Sequence, residues 1–253
     1  VQNINIGHDC LIAAGSTVFK NILSGYKYIH KRKECLTENN FFSCIFFYKL
    51  FHVKIMELNK AVQVGNKTIG EGHPVFVVVE LGVCHEQNID VAKHFIDVAK
   101  ENGADAVKVE AFRADDFVSD KAIMHTYGTA EGIVEENYYQ LLKRLELSFE
   151  QVADIKKYAD EKEILFFSTV HDQEDVDFFE ELDICAYKIA SLDMLHSPLI
   201  KHLCTKNKPV FMDTGGAYVE EIAKSLQMFK DEGFQNLVLM HNPMGYPAPS
   251  DKT

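Results

Sequence analysis

The sequence predicts an α/β fold: a (β/α)8 TIM barrel that stops after about six βα units and carries an irregular N-terminal extension. Three observations lead there. Apolar runs without polar alternation recur between turn signals, as parallel strands buried on both faces do. Amphipathic helical stretches separate them, giving repeated βα units on right-handed crossovers. Polar residues gather at the ends of the runs, and no glycine-rich dinucleotide loop follows the first one, which favours a barrel over a doubly wound sheet.

In chain order, residues 1–22 show Ile6-Gly7, Ile12-Ala13 and Val18 at intervals of six, the period of a left-handed parallel β-helix. Too few coils are present for such a helix to fold alone. Residues 23–55 have no period, only basic residues mixed with Phe, Tyr and Cys, and read as a spacer outside the barrel domain. Residues 1–55 carry a net +4 and the remainder −16, which places a boundary near 55. Met56 then begins an incomplete barrel domain, 56–253. Its strands are expected at 75–80, 106–110, 164–169, 186–191, 209–214 and 236–242. Helices are expected at 88–102, with Val91, Phe95 and Val98 on one face, and at 149–161, 173–182, 198–206 and 219–231. The 111–148 connection is too long for a βα loop and reads as a lid.

Composition narrows the function. A net charge of −12 argues against a nucleic-acid surface. The six cysteines show no paired spacing, which fits a reduced, cytoplasmic protein. The apolar run 41–51 is interrupted by Lys49 and is about half the length of a membrane span, so no membrane partner is expected.

In a barrel the C-terminal strand ends converge on one mouth. The residues expected there are Glu80, Lys108 with Glu110, Ser168 with Thr169, Lys188 with Ser191 and Asp193, Asp213 with Thr214, and His241 with Asn242. The two lysines in apolar strands are the sharpest signal. A buried ammonium must face a carboxylate or an anionic ligand. Salt bridges to Glu80, Glu110 or Asp213 would satisfy them. The hydroxyls of Thr169, Ser191 and Thr214 at the same mouth point instead to a pocket for phosphate or carboxylate.

The stretches ELGVCHEQNIDVAKHFIDVAK from residue 80, YYQLLKRLELS from 138, FFSTVHDQEDVDFF from 166, KPVFMDTGGAYVEEI from 208 and LMHNPMGYPAP from 239 resemble the sialic acid synthase family over about 190 residues. Residues 1–22 resemble the tail of a hexapeptide-repeat acyltransferase.

The first resemblance implies a transferase that condenses phosphoenolpyruvate with an N-acylated aminosugar to a nonulosonic acid, releasing phosphate. By position it implies that Lys108, Thr169, Lys188 and Ser191 hold phosphoenolpyruvate. Glu80 matches the acid after strand one, and Tyr246 a sugar-side tyrosine. Glu80, Lys108 and Lys188 become the catalytic candidates, and Glu110, Thr169, Ser191, Asp193, Asp213, Thr214 and Tyr246 the substrate-binding ones. Glu110, Asp193, Asp213, Met244 and Cys84 depart from the family's usual residues, and an Asp beside a phosphate is repulsive unless protonated or paired.

The resemblance also implies a divalent metal, Mn or Mg, whose ligands are not expected in this chain, and a homodimer for a full-length member. The 253 residues alone are expected to be inactive. Two other readings stand beside it. One is a class I aldolase, whose lysine would be trapped by borohydride; the other is a non-catalytic sugar-phosphate-binding relic.

Overall fold

The structure, a computed structural model, describes residues 58–129 and 132–242. The expected β-helix fragment, the spacer, the start at Met56, and Met244 and Tyr246 lie outside those residues.

Six strands form one parallel sheet: β3 (Val78–Gly82), β4 (Ala106–Glu110), β7 (Leu165–Thr169), β8 (Tyr187–Ile189), β9 (Val210–Asp213) and β10 (Leu237–Met240). They lie side by side in chain order, β3 and β10 being the outer strands among the described residues. A doubly wound sheet reverses its order part-way; this one does not.

Helices α1 (Ile89–Glu101), α4 (Phe149–Glu161), α5 (Gln173–Glu181), α6 (Ser197–Thr205) and α7 (Val219–Asp231) connect the strands. Each starts where its sequence says. Asn88 accepts the first free amides of α1, and Ser148 with Gln151 closes a reciprocal capping box on α4. The helices share one side of the sheet: Ser225 of α7 meets Met212, and Tyr187 reaches Glu180 of α5. On the opposite side Phe211 stacks between Phe76 and Phe167, at ring distances of 6.4 and 5.2 Å, as an aromatic floor.

Expected and observed strands differ at several ends, two of them with a visible cause. β3 begins at Val78 rather than Val75, because Asp105 takes the Val77 amide on its side chain (2.8 Å) before pairing starts. β8 keeps three residues, since Ser191–Asp193 turn into a 3-10 segment.

The face that carries Val91, Phe95 and Val98 is not the buried face of α1. Ala92, Ile96 and Ala99 are buried, whereas Val91, Phe95 and Val98 are exposed by 36%, 37% and 41%. Small residues let the helix sit close on the sheet, and the larger ones line a flank beside the outer strand β3.

Before the sheet, β1 (Ala61–Val64) and β2 (Lys67–Gly70) form an antiparallel hairpin with a two-residue turn. Val62 and Val64 are buried. A side chain on Gly65 would strike Leu165, at the N-terminal end of β7, and touch Cys185 just ahead of β8. Lys67 pairs with Asp105 just ahead of β4 (2.8 Å), and Asn59 bonds the Gln235 carbonyl and the Asn236 side chain just ahead of β10 (3.2 and 2.7 Å). The hairpin therefore covers the N-terminal end of the sheet. No helix among the described residues is long and apolar enough to cross a membrane.

The 111–148 connection holds α2 (Ala114–Phe117), a hairpin of β5 (Met124–Thr129) and β6 (Gly132–Asn137), and α3 (Tyr138–Leu145). Its two roots are stapled together by Glu146, which accepts from the Ala114 amide (2.8 Å). Gln87, in the loop after β3, donates to the Lys143 and Glu146 carbonyls (3.0 and 2.6 Å). Arg113 ties the first root to Asp172 and Asp175 at the start of α5 (2.6 and 2.9 Å) and stacks over Phe149. A small cavity lined by Arg113, Glu146 and Phe149 opens under these roots, away from the lysine cluster.

Candidate active site

Strand register brings the expected residues together. Glu80 pairs with Lys108, Glu110 with Thr169, and Thr169 with Lys188 on successive strands. Lys108 is 5% exposed, and its ammonium spends all its donors: on Glu80 (2.7 Å), the Thr169 hydroxyl (2.9 Å) and the Val109 carbonyl (3.4 Å). Glu80 in turn accepts from the Gly82 amide (2.8 Å), where β3 bulges and Gly82 takes a positive φ of 49°.

Lys188 is different. It is 8% exposed, its closest carboxylate is Asp213 at 3.9 Å, and it has no hydrogen-bond partner among the described residues. Burial, and then the neighbouring Lys108 charge, hold its pKa below the usual lysine value against the pull of Glu110, Asp213 and Glu80.

Asp213 spends one carboxylate oxygen on the Gly215 amide (2.9 Å). Thr214 donates its hydroxyl to the Met240 carbonyl (2.8 Å), so it offers a ligand only lone pairs, contrary to the expected donor. Ser168 likewise turns to the Thr169 and Val109 carbonyls and is fully buried in the strand layer. Ser191 stands half-buried at the start of the 3-10 segment. Asp193 does not stand alone. His171, in the loop after β7, binds it through Nδ1 at 2.7 Å. The two are 22 residues apart on successive βα loops, a distance at which no sequence motif connects them.

Three buried side-chain atoms among the described residues lack any partner: His85 Nε2, His171 Nε2 and Asn242 Oδ1. All three follow a strand, β3, β7 and β10 respectively, and so sit at the same C-terminal end of the sheet. An unsatisfied buried polar atom costs about 1–3 kcal/mol, so each calls for a partner such as water or a ligand. His85 Nδ1 accepts from the Gln87 amide (3.1 Å), and burial lowers its pKa, with the Gly82 carbonyl opposing. Glu86 and Gln87 beside it both adopt positive φ, 47° and 62°, a strain that persists where the surroundings impose it.

The comparisons with known proteins agree with this architecture. The NeuB family model matches residues 95–253, more than half of the chain. The chain belongs to the NeuB family. The spore coat polysaccharide biosynthesis protein SpsE of Bacillus subtilis is 34% identical over 192 residues, covering 76% of this chain and 50% of its own. The N,N'-diacetyllegionaminic acid synthase of Campylobacter jejuni is 33% identical over 175 residues, covering 68% and 52%. Among solved structures, the sialic acid synthetase of Leptospira borgpetersenii in complex with citrate superposes with a TM-score of 0.66 at 25% identity, over 78% of this chain and 64% of that one. The chain thus spans about half the length of the curated relatives it matches.

A divalent metal is implied by the family. Among the described residues no three His, Cys, Asp or Glu side chains converge to hold one. Glu80 is engaged by Lys108 and Gly82, Asp213 by Gly215, and Asp193 by His171. The described donors do not fit a metal site.

Proposed function

We propose that this chain forms the phosphoenolpyruvate-binding part of a nonulosonic acid synthase, and that its sheet curls into the wall of a TIM barrel. Support for the barrel is the unreversed strand order, the hairpin cover at the N-terminal end and the uncovered apolar flank of α1.

The reaction joins C3 of phosphoenolpyruvate to the aldehyde carbon of an open-chain N-acylated aminosugar. Water adds at C2 and phosphate leaves by C–O cleavage, carrying the bond's electron pair. Lys188 is the anion site: buried, beside a second cation, and without a hydrogen-bonded counterion, it is set to receive a carboxylate or phosphate oxygen. That single observation carries the reading. Lys108, held by Glu80 and Thr169, adds fixed positive charge that costs no reorganisation when negative charge develops. Thr169 accepts from Lys108 and keeps its own proton for a ligand oxygen. Glu80 positions the water or a sugar hydroxyl, Ser191 donates to the phosphoenolpyruvate, and Glu110, Asp193, Asp213, Thr214 and Tyr246 border the substrates.

Titration calorimetry of the chain with phosphoenolpyruvate tests the anion site. Binding should be measurable in the wild type and weakened at least about tenfold in Lys188→Met, since a charged hydrogen bond contributes about 1.5–3 kcal/mol. Equal affinity in the two would remove Lys188 from the site. The depressed pKa of the same lysine favours one rival, a Schiff-base aldolase. Borohydride reduction with a carbonyl substrate that adds mass at Lys188 would establish the rival instead.

A further inference from the structure

We propose that His171 and Asp193 form the hydroxyl-binding pair for the acceptor sugar, with His171 Nε2 as the contact atom and Phe117 as its cover; this rests on the synthase reading above. Asp193 accepts the Nδ1 proton of His171 at 2.7 Å. A neutral imidazole that gives its Nδ1 proton to a carboxylate carries a bare lone pair on Nε2. That nitrogen is buried with no partner. Phe117, the last residue of α2, meets the imidazole edge-on at 4.5 Å between ring centres and 88° between planes. A phenyl ring returns nothing to a lone pair, so the arrangement keeps water off without satisfying the nitrogen.

Its place makes it useful. His171 lies two residues beyond Thr169, whose hydroxyl holds Lys108 at 2.9 Å, and Asp193 lies five beyond Lys188. The pair therefore stands on the two loops directly above the proposed anion site. A group that requires a proton from its ligand matches a polyol, and phosphoenolpyruvate has no hydroxyl to give. The pair thus belongs to the acceptor, and its reach selects for a hydroxyl at one position of the sugar chain. Phe117 belongs to the 111–148 connection, so the cover over His171 comes from the segment the sequence marks as a lid.

Two replacements separate binding from architecture. Asparagine places its amide where Nδ1 stood and keeps the Asp193 contact, but removes Nε2; glutamine keeps a polar atom near Nε2. Titration of the chain with N-acetylmannosamine in the presence of phosphoenolpyruvate, with phosphoenolpyruvate alone as control, should show His171→Asn losing at least about tenfold in sugar affinity, one good hydrogen bond. His171→Gln should retain more of that affinity, and both variants should bind phosphoenolpyruvate as the wild type does. Phe117→Ala should bind the sugar no more weakly than wild type. Sugar affinity unchanged in a folded His171→Asn would overturn the pair while leaving the anion site standing. A wild type that binds phosphoenolpyruvate but no aminosugar would overturn it equally. Failure to bind phosphoenolpyruvate at all would remove the synthase reading and the pair with it.

Discussion

Lys188 shows at the scale of one residue how a binding site costs stability. Its folded pKa lies below the ordinary lysine value of 10.5, chiefly through burial. The unfolded chain therefore holds a proton that the folded chain resists, over the window from the depressed pKa up to 10.5. Within it, this group adds stability as pH rises, and below it the full burial cost is paid. Lys188→Met should accordingly be more stable than wild type near neutral pH, by about 1 kcal/mol. The gap should narrow as pH approaches 10.5, and urea unfolding at two pH values would check both. A less stable variant at neutral pH would show the charge already compensated. An anion prefers the protonated lysine, so phosphoenolpyruvate affinity should fall with rising pH over the same window. The sequence revealed the lysines because charge inside an apolar run is visible locally. It hid His171, because a histidine acquires meaning only from the aspartate a fold brings to it.

At the scale of elements, the roots of the 111–148 connection depend on Arg113. Its guanidinium binds Asp116, Asp172 and Asp175, and Asp175 is 3% exposed, with burial raising its pKa. Arg113→Met would strand that carboxylate. The expected loss is about 3 kcal/mol, measured by urea unfolding, with faster proteolysis between 114 and 145. The hairpin ahead of the sheet has its own sensitive point. Gly70 has a φ of 145°, and a Cβ there would collide with the Lys60 carbonyl oxygen. Gly70→Ala should lower stability by about 2 kcal/mol, detectable in thermal melts.

These elements also divide what sequence pattern can show from what it cannot. α4 and α7 were legible to the residue, since caps and periodicity agree. The buried side of α1 was not legible because close packing there selects alanine, which a search for large apolar residues overlooks. β5 and β6 escaped notice because their side chains are mostly exposed and carry no alternation.

For the whole molecule, six parallel strands in unbroken order were readable from repetition alone, whereas the cover at the N-terminal end was not. Four-residue strands such as β1 and β2 leave too little pattern to detect. In the proposed barrel, that cover and the floor of Phe76, Phe167 and Phe211 would make the space around Lys188 a blind shaft. Whatever settles deepest must arrive first, and whatever lands above it seals it in. Steady-state kinetics of an active NeuB-family chain built on this one should therefore show a compulsory sequence, the small acid preceding the sugar. Phosphate, made at the bottom, would wait its turn to escape until the bulky product above it had cleared the shaft.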